Sequence, residues 1–141
     1  MDHYIQAQLG CRYYLRYMDD FVIFHTDKKS LLHIKNQIIE YLRELCLTLH
    51  EGKCRVYQVT DGVPFLGMVI SPSRRRLKKE NVIRFKRKLK WFQKLHSIGK
   101  IPWQHIHQSI QSWIGYAMHA DSMKLRELIF SEIVFRKERE D

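Results

Sequence analysis

Apolar positions along this chain change period several times, and each change marks an element. Tyr13, Tyr14, Leu15 and Tyr17, then Phe21 to Phe24, are aromatic, β-branched or aliphatic, which predicts two strands and a hairpin over about Arg12 to Thr26. Ahead of them Tyr4, Ile5 and Leu9 lie at helical spacing and Gly10 ends the segment, so Met1 to Cys11 reads as the tail of a helix. Behind them the polar run Thr26 to Ser30 offers an N-cap, and Leu31, Ile34, Ile38, Leu42 and Leu45 recur every three or four positions through Cys46. This is an amphipathic scaffold helix. Its polar face carries Lys35, Asn36, Glu40, Arg43 and Glu44, and its apolar stripe is expected against the back of the hairpin.

The next stretch reads as a second hairpin. Glu51-Gly52-Lys53 is a turn, Cys54 to Val59 alternates as a strand, Thr60-Asp61-Gly62 turns, and Val63 to Ile70 returns. Gly67 inside that return predicts either a close approach by another part of the chain or a β-bulge. Ser71-Pro72-Ser73 closes the strand, and a short extended piece runs through Arg75, Arg76 and Leu77. Three helices follow. The first has its stripe at Val82, Phe85, Leu89, Phe92 and Leu95; the second, restarted at Trp103 after Gly99 and Pro102, at Ile106, Ile110, Trp113, Ile114 and Ala117. The third, about Ser122 to Glu138, has its stripe at Leu125, Leu128, Ile129, Ile133 and Val134, with a frayed charged end over Arg136 to Asp141. Three amphipathic helices with short connections predict a small antiparallel bundle.

Composition narrows the class. A 141-residue chain that is 45% hydrophobic can bury one core or two small lobes. Its charge, 25 Lys plus Arg against 15 Asp plus Glu, is +10, and a pI near 9.7 points to a polyanionic partner, nucleic acid ahead of an acidic membrane surface. That charge is concentrated. Between Ser71 and Lys100 twelve basic residues face one acid, Glu80, and like charges four apart, such as Arg84 and Lys88, destabilise an isolated helix unless an external anion compensates. Phosphates would do so. No run approaches the ~18 apolar residues of a membrane span, and no signal peptide pattern opens the chain, so a soluble, intracellular protein is expected. Cys11, Cys46 and Cys54 have neither disulfide nor zinc spacing and are expected to be reduced, partly buried thiols. The histidines, with His105 and His107 two apart, do not assemble a metal site on their own.

The candidate chemistry lies in Tyr17-Met18-Asp19-Asp20, where two adjacent carboxylates fall between two strands. Such a pair has two readings. It is either a solvated polar turn, or, if walled by apolar side chains, a site whose burial cost a cation must offset. Hard oxygen donors of that kind select Mg²⁺ or Mn²⁺, held with substrate phosphates.

With a strand on each side, Tyr17-Met18-Asp19-Asp20 resembles the catalytic signature of reverse transcriptases. Leu47-Thr48-Leu49-His50 through Lys53 resembles the palm motif of that family that ends in a lysine, and Pro64-Phe65-Leu66-Gly67 resembles its primer grip. The run including Ser112-Trp113-Ile114-Gly115-Tyr116-Ala117 is most similar to bacterial enzymes of the group II intron, retron and diversity-generating type. The resemblance implies Asp19 and Asp20 as ligands of Mg²⁺ (or Mn²⁺), Asp19 the principal one, and Tyr17 and Met18 near the primer terminus. It implies that Lys53 supports the departing pyrophosphate, although an ordinary turn lysine reads the same way. Phe65, Leu66 and Gly67 would brace the primer, and the basic region, Arg74, Arg75, Arg76, Lys78, Lys79, Arg84, Arg87, Lys88 and Lys94, would track template–primer phosphates.

The expected architecture is α+β: an antiparallel palm sheet with a packing helix over residues 1–73, then a three-helix thumb-like bundle over residues 74–141. One departure from the family is evident. Polymerases of this kind use a further metal-binding aspartate from an earlier palm strand, together with fingers, and nothing ahead of Arg12 supplies either. The chain is therefore expected to be the C-terminal palm and thumb part of a bacterial, cytoplasmic reverse transcriptase, inactive alone. Its partners would be an RNA template, a DNA primer, deoxynucleoside triphosphate in the complete enzyme, and the missing fingers and palm segment in cis or in trans. Unpaired strand edges would favour self-association. The alternative is a stand-alone basic RNA-binding module.

Overall fold

A computed structural model of the chain describes residues 1–50 and 52–136 and divides it into two compact units, Met1–Gln58 and Val59–Asp141. The protein is α+β, with small antiparallel sheets and several helices.

In the first unit a π-helical turn, Tyr4–Gln8, precedes the hairpin of β1 (Tyr13–Tyr17) and β2 (Asp20–Phe24), followed by α1 (Lys28–Glu44). The strands pair antiparallel with Tyr14 opposite Ile23 and Arg16 opposite Phe21. Because side chains alternate across a strand, Tyr14, Phe21 and Ile23 share one face, and this face packs with Ile5, Ile34, Ile38 and Leu42 into the core. The helix begins where the sequence offered a cap: Asp27 accepts from the Ser30 backbone N–H and hydroxyl, both at 2.7 Å. It ends in a Schellman cap, with Leu47 N–H donating to Leu42 O at 2.8 Å and Cys46 N–H to Arg43 O at 3.0 Å. Cys46 takes the left-handed position usually given to glycine, at φ 57°. That placement exposes it. Of the expected partly buried thiols only Cys11 is buried and Cys54 half-buried, and all three cysteines are free.

The second unit contains β3 (Val63–Phe65), β4 (Met68–Ile70), β5 (Arg75–Leu77), α2 (Lys79–Ser97), α3 (Trp103–Ala117) and α4 (Met123–Ser131). Two expectations fail, one at the end of the first unit and one in the second. Cys54 to Val59 forms no strand, because Cys54 spends its backbone groups on the His50 carbonyl and the Lys35 ammonium. The predicted single strand from Val63 to Ile70 is instead a hairpin of its own, with Phe65 opposite Met68 and a two-residue turn at Leu66-Gly67. Both turn residues have positive φ, 47° and 80°, as a type I′ turn requires. Pro64 is tolerated because β3 is an edge strand of the order β3-β4-β5. The Pro64–Gly67 hairpin thus folds with the helices, and the boundary between units lies ahead of the change in composition after Ser73.

The helices bury Phe85, Leu89 and Ile129 in one cluster and Phe92, Ile101 and Ile106 in another. Phe85 and Trp113 stack at 3.8 Å. The last helix is shorter than expected. It ends at Ser131; Leu128 within it and Val134 beyond it are both exposed, and Ile133 to Arg136 runs on without helical structure, with Val134 O accepting from the Gln93 amide at 2.9 Å. Phe135 packs against His96 and Trp103. Glu51, in the predicted turn, and residues 137–141, including the expected helix end at Glu138 and most of the frayed end, lie outside the described residues.

Candidate functional site

The acidic pair occupies the tip of the β1–β2 hairpin. Tyr17 pairs with Asp20, so Met18 and Asp19 form a two-residue turn, and Met18 carries the positive φ, 53°. Positive φ at the first turn position alone is the order of a type II′ turn, which glycine normally supplies. A methionine there stores strain at the tip. Asp20 falls on the sheet face opposite α1 together with Tyr13, Leu15, Tyr17, Val22 and Phe24, and this outward face is largely exposed: Tyr17 by 58% and Met18 by 76%.

Exposure corrects one step of the sequence argument. Asp19 and Asp20 are not walled by apolar side chains, so their charges are solvated and no buried-charge cost calls for a cation. Among the described residues neither carboxylate has a hydrogen-bond or ion-pair partner, and no group of three or more His, Cys, Asp or Glu side chains assembles around them or elsewhere. The donor set itself, two unengaged hard oxygen ligands on adjacent residues, fits the share of Mg²⁺ coordination that a protein usually supplies. Lys53 sits exposed in the turn after His50 and makes no ion pair with either aspartate.

The hairpin is held from its inner face by Asp2, a residue the sequence did not single out. Tyr14 donates to Asp2 Oδ1 at 2.7 Å and Arg16 to Oδ2 at 2.7 Å. The tyrosine hydrogen bond, with Arg16 beside it, holds the Asp2 carboxyl below its usual range. Burial and the same bond push Tyr14 up to about 12.

In the second unit the Phe65-Leu66-Gly67 turn and the basic residues meet at the start of α2. Gly67 O accepts from Lys78 N–H at 3.0 Å, Asn81 Nδ2 at 3.2 Å and Tyr116 Oη at 2.8 Å. Leu66 remains 42% exposed at the tip. Arg74, Arg75, Arg76, Lys79, Arg84, Arg87, Lys88 and Lys94 are exposed, whereas Lys78 is half-buried and contributes its backbone. Lys86 is partly compensated by Glu132 at 3.6 Å. On the helical wheel Arg84, Arg87 and Lys94 lie opposite the buried Phe85, Leu89 and Phe92, and the exposed Trp91 lies among them. Asn81, Tyr116 and Asp121, which fasten this unit, were not read as site residues from sequence; Tyr116 alone lay in a stretch carrying a resemblance.

Residues 1–70 match the family model described as reverse transcriptase (RNA-dependent DNA polymerase). Through these residues the chain belongs to the reverse transcriptase family. The matched reverse transcriptase segment runs from the N-terminal turn to the end of β4, so it includes the acidic hairpin, α1 and the Leu66-Gly67 turn, while β5, α2, α3 and α4 follow it. A comparison with curated proteins gives no match. No helix among the described residues of this reverse transcriptase segment or beyond it is long and apolar enough to cross a membrane.

Proposed function

We propose that the chain contributes the Tyr17-Met18-Asp19-Asp20 metal-binding turn, the primer grip and a duplex-binding, thumb-like unit to an RNA-directed DNA polymerase of the bacterial group II intron, retron or diversity-generating type, acting in the cytoplasm. The observation that carries this is a strand–turn–strand that presents two unengaged carboxylates at its tip, within a segment matching the family. Asp19 and Asp20 hold the divalent ion, which when bound supplies charge stabilisation at the reacting phosphate. Tyr17 and Met18 flank the primer terminus. Phe65, Leu66 and Gly67 brace the primer through their backbone, and Lys53 supports the leaving pyrophosphate. The exposed cations from Arg74 to Lys94, with Lys78 beside them, follow the phosphates of the template–primer, positioning it without reading its sequence.

In this reading the chain binds nucleic acid and does not polymerise alone, because two carboxylates hold a catalytic ion pair weakly. It is completed by fingers and a further palm aspartate, in cis or in trans. Mn²⁺ titration followed by NMR tests it: the Asp19 and Asp20 resonances are expected to broaden in the wild type and to stay sharp after Asp19→Asn. Unbroadened wild-type resonances at saturating Mn²⁺ would favour a basic RNA-binding module whose acidic turn is incidental. Robust primer extension by this polypeptide, abolished by Asp19→Ala, would overturn the proposed dependence on a completing segment.

A further inference from the structure

Turn carbonyls ordinarily face water, yet Gly67 O receives three protein donors, two from the start of α2 and one from the end of α3. A carbonyl oxygen has two lone pairs, so it is fully occupied. Asn81 Nδ2 also donates to Tyr116 Oη at 3.0 Å, which ties the two side chains into one unit. The approach is as close as the backbone permits: a Cβ on residue 67 would lie 2.5 Å from Tyr116 Oη and 2.9 Å from Asn81 Nδ2. A second fastening lies a few residues on. Asp121 N–H donates to Arg75 O at 2.7 Å and Asp121 Oδ2 accepts from Arg75 N–H at 3.0 Å, while Ser122 Oγ donates to Ala117 O at 2.6 Å. The stretch from Tyr116 to Ser122 therefore holds the sheet at the β3–β4 turn and at the first residue of β5.

We propose that Tyr116 and Asn81 are positioning residues for the Leu66-Gly67 turn. They fix the turn against the first turn of α2, so that the turn and the outward cations of that helix meet one template–primer in a set register. This gives the Ser112–Ala117 run a role that its resemblance alone left open. The inference rests on the reading of the Phe65–Gly67 turn as a primer brace.

The test uses the full chain and two labelled RNA–DNA hybrids of equal length, one with a recessed primer 3′ end and one blunt, with affinities from fluorescence anisotropy. Cations of α2 meet both hybrids alike, so the ratio of the two affinities isolates the turn. Wild type is expected to prefer the recessed hybrid. Tyr116→Phe, which keeps the ring and removes one oxygen, is expected to cut that preference about three- to tenfold, the value of one hydrogen bond, with blunt-hybrid affinity unchanged. Asn81→Ala is expected to act in the same direction and to add less than its full effect in the double variant, because the two donors share an acceptor. It carries the test alone if Tyr116→Phe loses its helical circular dichroism. Parallel loss on both hybrids would indicate a fastening that merely keeps the unit folded, and would overturn the proposal, as would a variant with the wild-type preference. A wild type that binds both hybrids equally would sink the primer-brace reading itself, and the positioning role with it, an outcome distinct from a discriminating wild type matched by its variant.

Discussion

Gly67→Ala concentrates two costs at one atom. The residue has φ 80°, where an L side chain costs about 1–2 kcal/mol, and the new methyl would sit 2.5 Å from Tyr116 Oη. Relieving that overlap moves the phenol away and gives up its hydrogen bond to Gly67 O, worth about 0.5–1.5 kcal/mol net. The two together come to about 1.5–3.5 kcal/mol. In urea, followed by circular dichroism, the midpoint for the unit carrying α2 and α3 is expected to fall by roughly 1–2 M. The Tyr116→Phe background removes the hydroxyl's share: Gly67→Ala is then expected to cost the conformational part, about 1–2 kcal/mol, together with the displacement of Asn81 Nδ2 from its 2.9 Å overlap, and so less than in the wild type. An alanine variant within ~0.5 kcal/mol of wild type, or an equal cost in both backgrounds, would refute the reasoning from crowding.

Three further outcomes are expected. Met18→Gly relieves the left-handed backbone at the acidic tip and is expected to raise the melting temperature of the first unit, by the equivalent of about 1 kcal/mol; an unchanged or lowered value would mean the tip is not strained. Arg84→Glu with Arg87→Glu is expected to weaken hybrid binding and to flatten the log–log salt dependence by roughly one for each phosphate no longer neutralised, and an unchanged slope would remove these residues from the interface. Because the folded state holds Tyr14 at about 12 against an ordinary 10.0, the bond to Asp2 stabilises fully below the lower value and is lost as pH rises through the upper one. Asp2 has the opposite sign: its lowered pKa stabilises at neutral pH and is lost on acidification. Urea midpoints across pH for wild type and Tyr14→Phe are expected to converge near pH 12, and parallel curves would contradict the assignment.

What the sequence disclosed depended on whether the signal was local. The Asp27 cap, the stripe from Ile34 to Leu42, the Gly99 and Pro102 break and the hairpin with Asp19 and Asp20 at its tip all rest on neighbours within a few positions, and each is found where the pattern puts it. Gly67 was half legible: its demand for a close approach could be read, but the approaching groups, Asn81 and Tyr116, are 14 and 49 positions away. Cys54 to Val59 misled because alternation describes a strand only when a partner supplies the ladder, and Val63–Phe65 had already taken Met68–Ile70. For a similar reason, burial does not demand a cation at Asp19 and Asp20. Apolar neighbours in sequence at Leu15, Tyr17 and Phe24 do not enclose the aspartates, since they lie on a face that the hairpin turns toward water. Asp2 gave no sequence signal at all, because its partners are 12 and 14 positions on.

The unusual helix ending at Cys46 has a practical side. Burial pushes the Cys11 thiol up and shields it, and Cys54 is half covered, whereas the sulfur on the left-handed cap faces solvent. A maleimide dye or nitroxide therefore attaches first at the end of α1, on the same unit as the acidic hairpin but outside its strands. That gives a reporter for ligand titrations on the unaltered polypeptide, without engineering a handle into it.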